Sequence, residues 1–190
     1  NSSDAQLGGE ITGLVGSNAL SINESSTAVL QSTGSIHDNA CNTAVVYLRA
    51  GANFTVHGKI NNNKSSGNCA ALFLVTNGAS SHAVLESGGE ICGNKNGGSK
   101  YGTAVEVQQG ESSFTMNGGI ISGNSGPLGA IQVHKGSPKL IMNGGKVVDN
   151  LSSGVNGEAG IFVESGTPTV ELNAGQAQSL TLAQNVLSQA

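Results

Sequence analysis

Proton transfer, metal binding and nucleophilic attack need carboxylates, histidines and thiols brought close together. This 190-residue chain is sparing with all of them, at 12 acidic residues, 4 histidines and 3 cysteines. A glycosidase needs two carboxyl groups about 5 to 9.5 Å apart across the scissile bond. Here the aspartates are only Asp4, Asp38 and Asp149, and the glutamates are scattered along the chain. His37, His57, His82 and His134 each lack a second histidine or cysteine at ligand spacing. They read as corner and strand-end residues, so neither a metal site nor a cofactor is expected. Cys41, Cys69 and Cys92 form no CxxC pair and read first as small buried residues.

The elements that must position these groups follow from a repeat. The block Phe114-Thr115-Met116-Asn117-Gly118-Gly119-Ile120-Ile121-Ser122-Gly123-Asn124 recurs at 140–150 and at 84–94, with weaker copies at 28–39 and 54–63. The glycine closing each copy falls at Gly9, Gly34, Gly58, Gly89, Gly119, Gly145 and Gly175. The steps between them are 25, 24, 31, 30, 26 and 30, a period that indicates a solenoid, a propeller or an array. Each period holds three short apolar segments, such as Ala104–Val107, Phe114–Met116 and Ile120–Ile121. The first two alternate apolar and polar residues as strands do, and no stretch carries a capped 3.6-residue period. A propeller blade would need about 40 residues in four antiparallel strands, and a leucine-rich repeat would need a leucine ladder that is missing. The expectation is therefore an all-β, right-handed parallel β-helix of roughly seven coils stacked ~4.8 Å apart. Residues 1–190 form one such domain, with repeats over about 7–175, a terminal strand or cap over 176–190, and a longer parent protein around it.

Several details follow from the repeat. The glycine pair suits a corner that needs positive φ. The column Asn39, Asn63, Asn94, Asn124 and Asn150 has two structural roles open to it, a left-handed backbone or a ladder of stacked amides. The aligned pairs Val46/Leu48, Phe73/Val75, Val105/Val107 and Ile131/Val133 should point inward, and near Glu86 a one-residue slip should turn Leu85 inward instead. Asp38 and Asp149 share a column four coils apart, roughly 19 Å, and cannot converge. Cys41 and Cys69 approach one corner in neighbouring coils, so a disulfide between them is sterically allowed, while Cys92 should stay free.

The outward positions of the first segment supply a candidate binding face. One column reads Ser21, Tyr47, Leu74, Glu106, Gln132 and Phe162. The next holds Arg49, Thr76, Gln108, His134 and Glu164. Tyr47, Arg49, Glu106, Gln108, Gln132 and His134 are the residues this reading singles out, as an aromatic and planar-polar strip for an extended glycan or peptide. An ordinary solvated face is the other reading of the same columns.

Composition excludes several partners. Charged residues are 11% of the chain, against a usual share of about 25%. The net charge is −4 and Arg49 is the sole arginine, so no nucleic-acid footprint is present. No apolar run approaches the ~18 residues of a membrane span, and no signal peptide opens the sequence.

The block Phe114–Asn124 resembles the repeat of bacterial cell-surface, adhesin-like proteins with a right-handed, pectin-lyase-like β-helix, and the likeness covers about 7–175. It implies a secreted or cell-surface chain, and the expected function is a non-catalytic module for adhesion or for binding a glycan or a host or cell-surface protein. Two alternatives stand beside it. Pectin-lyase-like folds also host polysaccharide lyases and glycosidases, which need an acidic cluster, and the module could be a structural spacer. Open strand edges at the two ends would invite end-to-end self-association.

Overall fold

A computed structural model describes residues 3–98, 101–154, 160–173, 180–183 and 186–187. Twenty-seven short strands, and among the described residues no helix, build four parallel sheets. Successive strands visit the four sheets in turn, so the chain is a parallel β-solenoid. Coils run over 4–22, 27–48, 53–75, 82–108, 113–134 and 139–163, with three strands of a seventh after them. The sequence showed three strands per coil. The fourth is a two-residue strand after each column Asn, such as Lys64–Ser65 or Ser125–Gly126, too short to carry an alternation. In the tail, Leu180–Ala183 and Val186–Leu187 extend the second and third sheets. Gly175 lies outside the described residues.

Alternation decides which face is buried. In the first sheet Leu30, Val56, Leu85, Met116 and Met142 pair in register and point inward. Ile36, Ile60, Ile91, Ile121 and Val147 make one inward column of the second sheet. All of these side chains are buried, each contributing about 1.5 to 3 kcal/mol. Leu85 does face inward, leaving Glu86 outside the core, because the corner from Leu85 to Gly89 is one residue longer than that from Met116 to Gly119. In the third coil the expected register is wrong by one. Leu72 and Leu74 pair with Val46 and Leu48 and point inward, so Phe73 stands in the outward column beside Tyr47. The run Leu72-Phe73-Leu74-Val75 is apolar throughout, and alternation cannot choose between its faces.

The asparagine column forms a saturated ladder. Asn94 shows the unit: its backbone N–H and its side-chain Nδ2 both donate to Asn124 Oδ1, each at 3.0 Å, and Nδ2 also donates to Ile60 O at 2.9 Å. The same bonds link Asn39 to Asn63, Asn63 to Asn94 and Asn124 to Asn150. Every member is at most 1% exposed, where an unmet amide would be costly. The left-handed backbone belongs instead to the residue just before each one: Asp38, Asn62 and Asp149 lie at φ of 53°, 56° and 56°, and glycine takes the place in Gly93 and Gly123. The ladder thus begins at Leu14, whose N–H donates to Asn39 Oδ1 at 3.0 Å but whose side chain has no amide to offer in turn.

Glycine is demanded at the corners by two different constraints. Gly119 has φ +76°. Gly58 has no positive φ, but a Cβ on it would lie 2.2 Å from Gly34 O, a clash with backbone that has nowhere to move.

Candidate functional site

The fourth sheet carries the chemistry on its outer face. In register, its outward column is Ser21, Tyr47, Phe73, Glu106, Gln132 and Phe162. Val75, Gln108 and His134 align in the next column. The face divides into two parts that behave differently.

The first part, over coils one to three, is open at Tyr47 and Arg49, whereas Phe73 is buried at 2% exposure. Tyr47 and Phe73 stack with ring centroids 5.3 Å apart and planes 11° off parallel. The Arg49 guanidinium lies 5.8 Å from the Tyr47 ring centre, and its Nε donates to Asn23 Oδ1 at 2.7 Å. Phe73 is seated on Ala44 and Cys69, which hold its ring in place, while Tyr47 stays half-buried and Arg49 exposed. Beyond Asn23 the platform meets a cavity of about 380 Å³ at the first coil, lined by polar Ser3, Ser21, Ser26 and Thr27 and by apolar Leu20, Ile22 and Ala28 of the core among others. Aromatic face, planar guanidinium, amide and hydroxyls thus meet on one rigid surface.

The second part, over coils four and five, is covered. The connection from the third sheet to the fourth is short in the first two coils, Gly16 to Leu20 and Cys41 to Val46, but runs from Asn96 to Val105 in the fourth. Inward-facing Asn96 organises it, donating through Nδ2 to Asn68 O at 3.0 Å and to Gly102 O at 2.8 Å. Thr103 N and Ala104 N donate to Gly129 O and Ala130 O of the next coil. Tyr101 is thereby laid over His134, ring centroids 6.2 Å apart, and Gly102 sits so close to Gln132 that a Cβ there would be 3.0 Å from the Gln132 Cβ.

Beneath this cover is a polar cluster spanning three coils. His134 Nε2 and Glu106 Oε1 are hydrogen-bonded at 2.8 Å, and His134 Nδ1 faces Glu164 Oε2 at 3.5 Å. Gln132 Nε2 donates to the same Glu164 oxygen at 2.9 Å, and Gln108 Nε2 lies 3.4 Å from His134 Nε2. Glu106 and Gln132 are 0% exposed and His134 is 1% exposed, with Glu164 at the rim. Burial pushes the Glu106 carboxyl above the ordinary carboxylate range and the charge of Glu164 adds to this, while His134 and Lys135 pull the other way. Glu106 Oε2, Gln132 Oε1 and His134 Nδ1 have no hydrogen-bond partner.

The expected strip is therefore corrected in four of its six residues. Tyr47 and Arg49 stand on the open part, but Glu106, Gln108, Gln132 and His134 are buried. They point outward from the sheet, as the period of two requires, yet a connection from their own chain covers them. The expected neighbours Leu74 and Thr76 give way to Phe73 and Val75. The signal for the cover was the 30-residue step from Gly89 to Gly119, which is longer than a bare coil needs. The carboxylates do not form a catalytic pair across an open cleft, since the His134 imidazole fills the space between Glu106 and Glu164. Asp38 and Asp149 occupy equivalent corners far apart on the solenoid. Of the remaining histidines, His37 Nδ1 meets Asp38 Oδ2 at 2.7 Å at the surface, and His82 Nδ1 meets Ser113 Oγ at 2.8 Å. Among the described residues no three His, Cys, Asp or Glu side chains are grouped to hold a metal ion.

All three cysteines are free, which corrects the Cys41–Cys69 pairing. Cys41 faces the main core and its partner in the next coil is Ser65. Cys69 lies in the connection beyond, on the outer side against Phe73, with its Sγ donating to Ala104 O at 3.0 Å. Burial raises both thiols, and at Cys69 the nearby Glu106 raises it further, so neither is a nucleophile. Alkylation without reductant should modify three thiols per unfolded chain, whereas in the folded protein only half-buried Cys92 should react within minutes. A mass showing one modifiable thiol after unfolding would restore the disulfide.

No protein-family model, curated protein or solved structure matches this chain.

Proposed function

We propose that this solenoid is a non-catalytic binding module of the cell-surface, adhesin-like kind, displayed outside the cell, that holds an extended glycan or peptide against the Tyr47–Arg49 platform. The pectin-lyase-like and bacterial assignments belong to this proposal and rest on the resemblance of the repeat. The observation that carries the binding reading is the half-buried Tyr47 ring, backed by buried Phe73, with Arg49 across it and Asn23 fixing the guanidinium. A sugar ring gains from an aromatic face for its C–H side and from planar polar groups for its hydroxyls, and a rigid sheet lets the site bind without an ordering cost. The adjoining cavity, lined by hydroxyls on one side and by Leu20, Ile22 and Ala28 on the other, is large enough for a small saccharide unit. Against an enzyme, the Glu106–Glu164 pair has a histidine wedged in it and one member sealed from solvent, and Glu10 and Asp38 meet His37 on the exposed surface rather than in a cleft.

A glycan array probed with the wild-type domain and with Tyr47→Ala/Arg49→Ala tests the reading. Binding that falls more than tenfold in the double variant supports it. Retained binding moves the site elsewhere, and no binding by either protein leaves the spacer reading. For end-to-end self-association, the first coil presents an obstacle. An added ladder residue would find the Leu14 side chain where an amide acceptor is needed.

A further inference from the structure

Two orphaned atoms of the Glu106 cluster share one remedy. Glu106 and Gln132 are register partners on adjacent coils, and each leaves one buried oxygen without a donor. Two bare acceptors on register partners in a sealed site are costly, and an ionised Glu106 would add a buried charge. A proton on Glu106 Oε2 removes that charge and turns the atom into a donor, which Gln132 Oε1 on the register partner can accept. Two of the three orphaned atoms acquire a role from that single proton.

We propose that Glu106 is held protonated at neutral pH and that its proton, shared with Gln132, locks the Tyr101–Ala104 cover over coils four and five, so that losing it as pH rises loosens the cover and exposes the rest of the fourth sheet's outer face. The groups that set the response surround Glu106: His134 and Lys135 from the fifth coil, Glu164 from the sixth, Cys69 from the connection of the third, and Tyr101, which lies over His134. The direction agrees with the raised Glu106 carboxyl. When the proton leaves, a buried carboxylate faces Gln132 Oε1 with no donor between them, and the relief is hydration, which requires Tyr101 and Gly102 to move off. The uncovered face continues the column that begins at Tyr47 and Phe73, so for function this proposal rests on the binding reading and supplies its regulation.

The lock can be tested with no ligand present, which keeps it separable from the binding reading. Amide exchange at Thr103 and Ala104, whose N–H groups bond Gly129 O and Ala130 O, reports the cover directly. After correction for intrinsic chemistry, their protection should fall by up to about tenfold per pH unit once Glu106 deprotonates, as one linked proton requires. In Glu106→Gln, an isosteric amide that can still accept from His134 and donate to Gln132, protection should be high and independent of pH. Should that variant fold poorly, carbon-13 spectra of the wild-type glutamate carboxyls give a second reading, with Glu106 expected in its protonated position at pH 7. An ionised Glu106 at pH 7, a pH response surviving in Glu106→Gln, or protection that depends on sodium or potassium rather than on pH would overturn the proposal. The last outcome would put a cation where the proton is placed here.

Discussion

Replacing Asn124 by alanine is expected to destabilise the solenoid by about 3 to 5 kcal/mol, the largest effect of any single polar residue outside the buried cluster. Asn124 Oδ1 accepts from Asn94 N and Asn94 Nδ2, and its own Nδ2 donates to Ile91 O and Asn150 Oδ1. Alanine removes four bonds and leaves the Asn94 N–H and the Ile91 carbonyl buried without these partners. Because each coil touches only its neighbours, a defect in a central coil weakens both of its interfaces. Asn117 is the internal control. It lies in the same coil and forms a similar row on the outside, donating to Glu86 Oε1 at 3.0 Å, but water reaches it. Asn117→Ala should cost about 0.5 kcal/mol or less. Urea unfolding of the two variants gives the comparison, and equal shifts in midpoint would show that the buried ladder is no more than a surface row.

His134→Ala should destabilise by about 3 kcal/mol at neutral pH. The imidazole is the hydrogen-bond partner of Glu106 Oε1 and the bridge from it to Glu164, in a site from which solvent is excluded. Its removal leaves a buried acceptor bare and opens a void beneath Tyr101. Glu106→Gln should be mild by comparison, and its sign depends on pH. Burial raises the folded-state pKa of Glu106 above its unfolded value, so the folded chain holds that proton more tightly. The resulting stability is complete below the ordinary carboxylate pKa of about 4.3 and is lost as pH rises through the raised folded value. Wild-type stability should therefore decline on going from mildly acidic to mildly alkaline pH. Glu106→Gln should flatten that slope and become the more stable protein at its alkaline end. Urea midpoints at three pH values measure both effects. A wild-type chain that gains stability with rising pH, with the slope removed by Glu106→Gln, would mean that Glu106 is ionised and favourably paired.

What the sequence determined by itself was the architecture, because a solenoid makes local pattern and global fold the same thing. The recurrence of Gly-Gly and Asn sets the coil length, and the period of two at Phe114-Thr115-Met116 sets which side is core. Both are properties of a few adjacent residues that stacking merely repeats. The asparagine column was legible for the same reason, although the choice between its two roles was not, since the left-handed turn falls one residue earlier. Three things depended on the tertiary structure. The register of Leu72-Phe73-Leu74-Val75 came from pairing with Val46-Tyr47-Leu48, because an all-apolar run has no preferred face of its own. The separation of Cys41 from Cys69 came from one facing the core and the other the outer side of a connection. The burial of Glu106, Gln132 and His134 was the largest departure. Outward direction is written in the strand, but exposure is decided by what else lies there. A covering segment folds back according to its own anchors, here Asn96, Thr103 and Ala104, and those act between coils rather than along the chain.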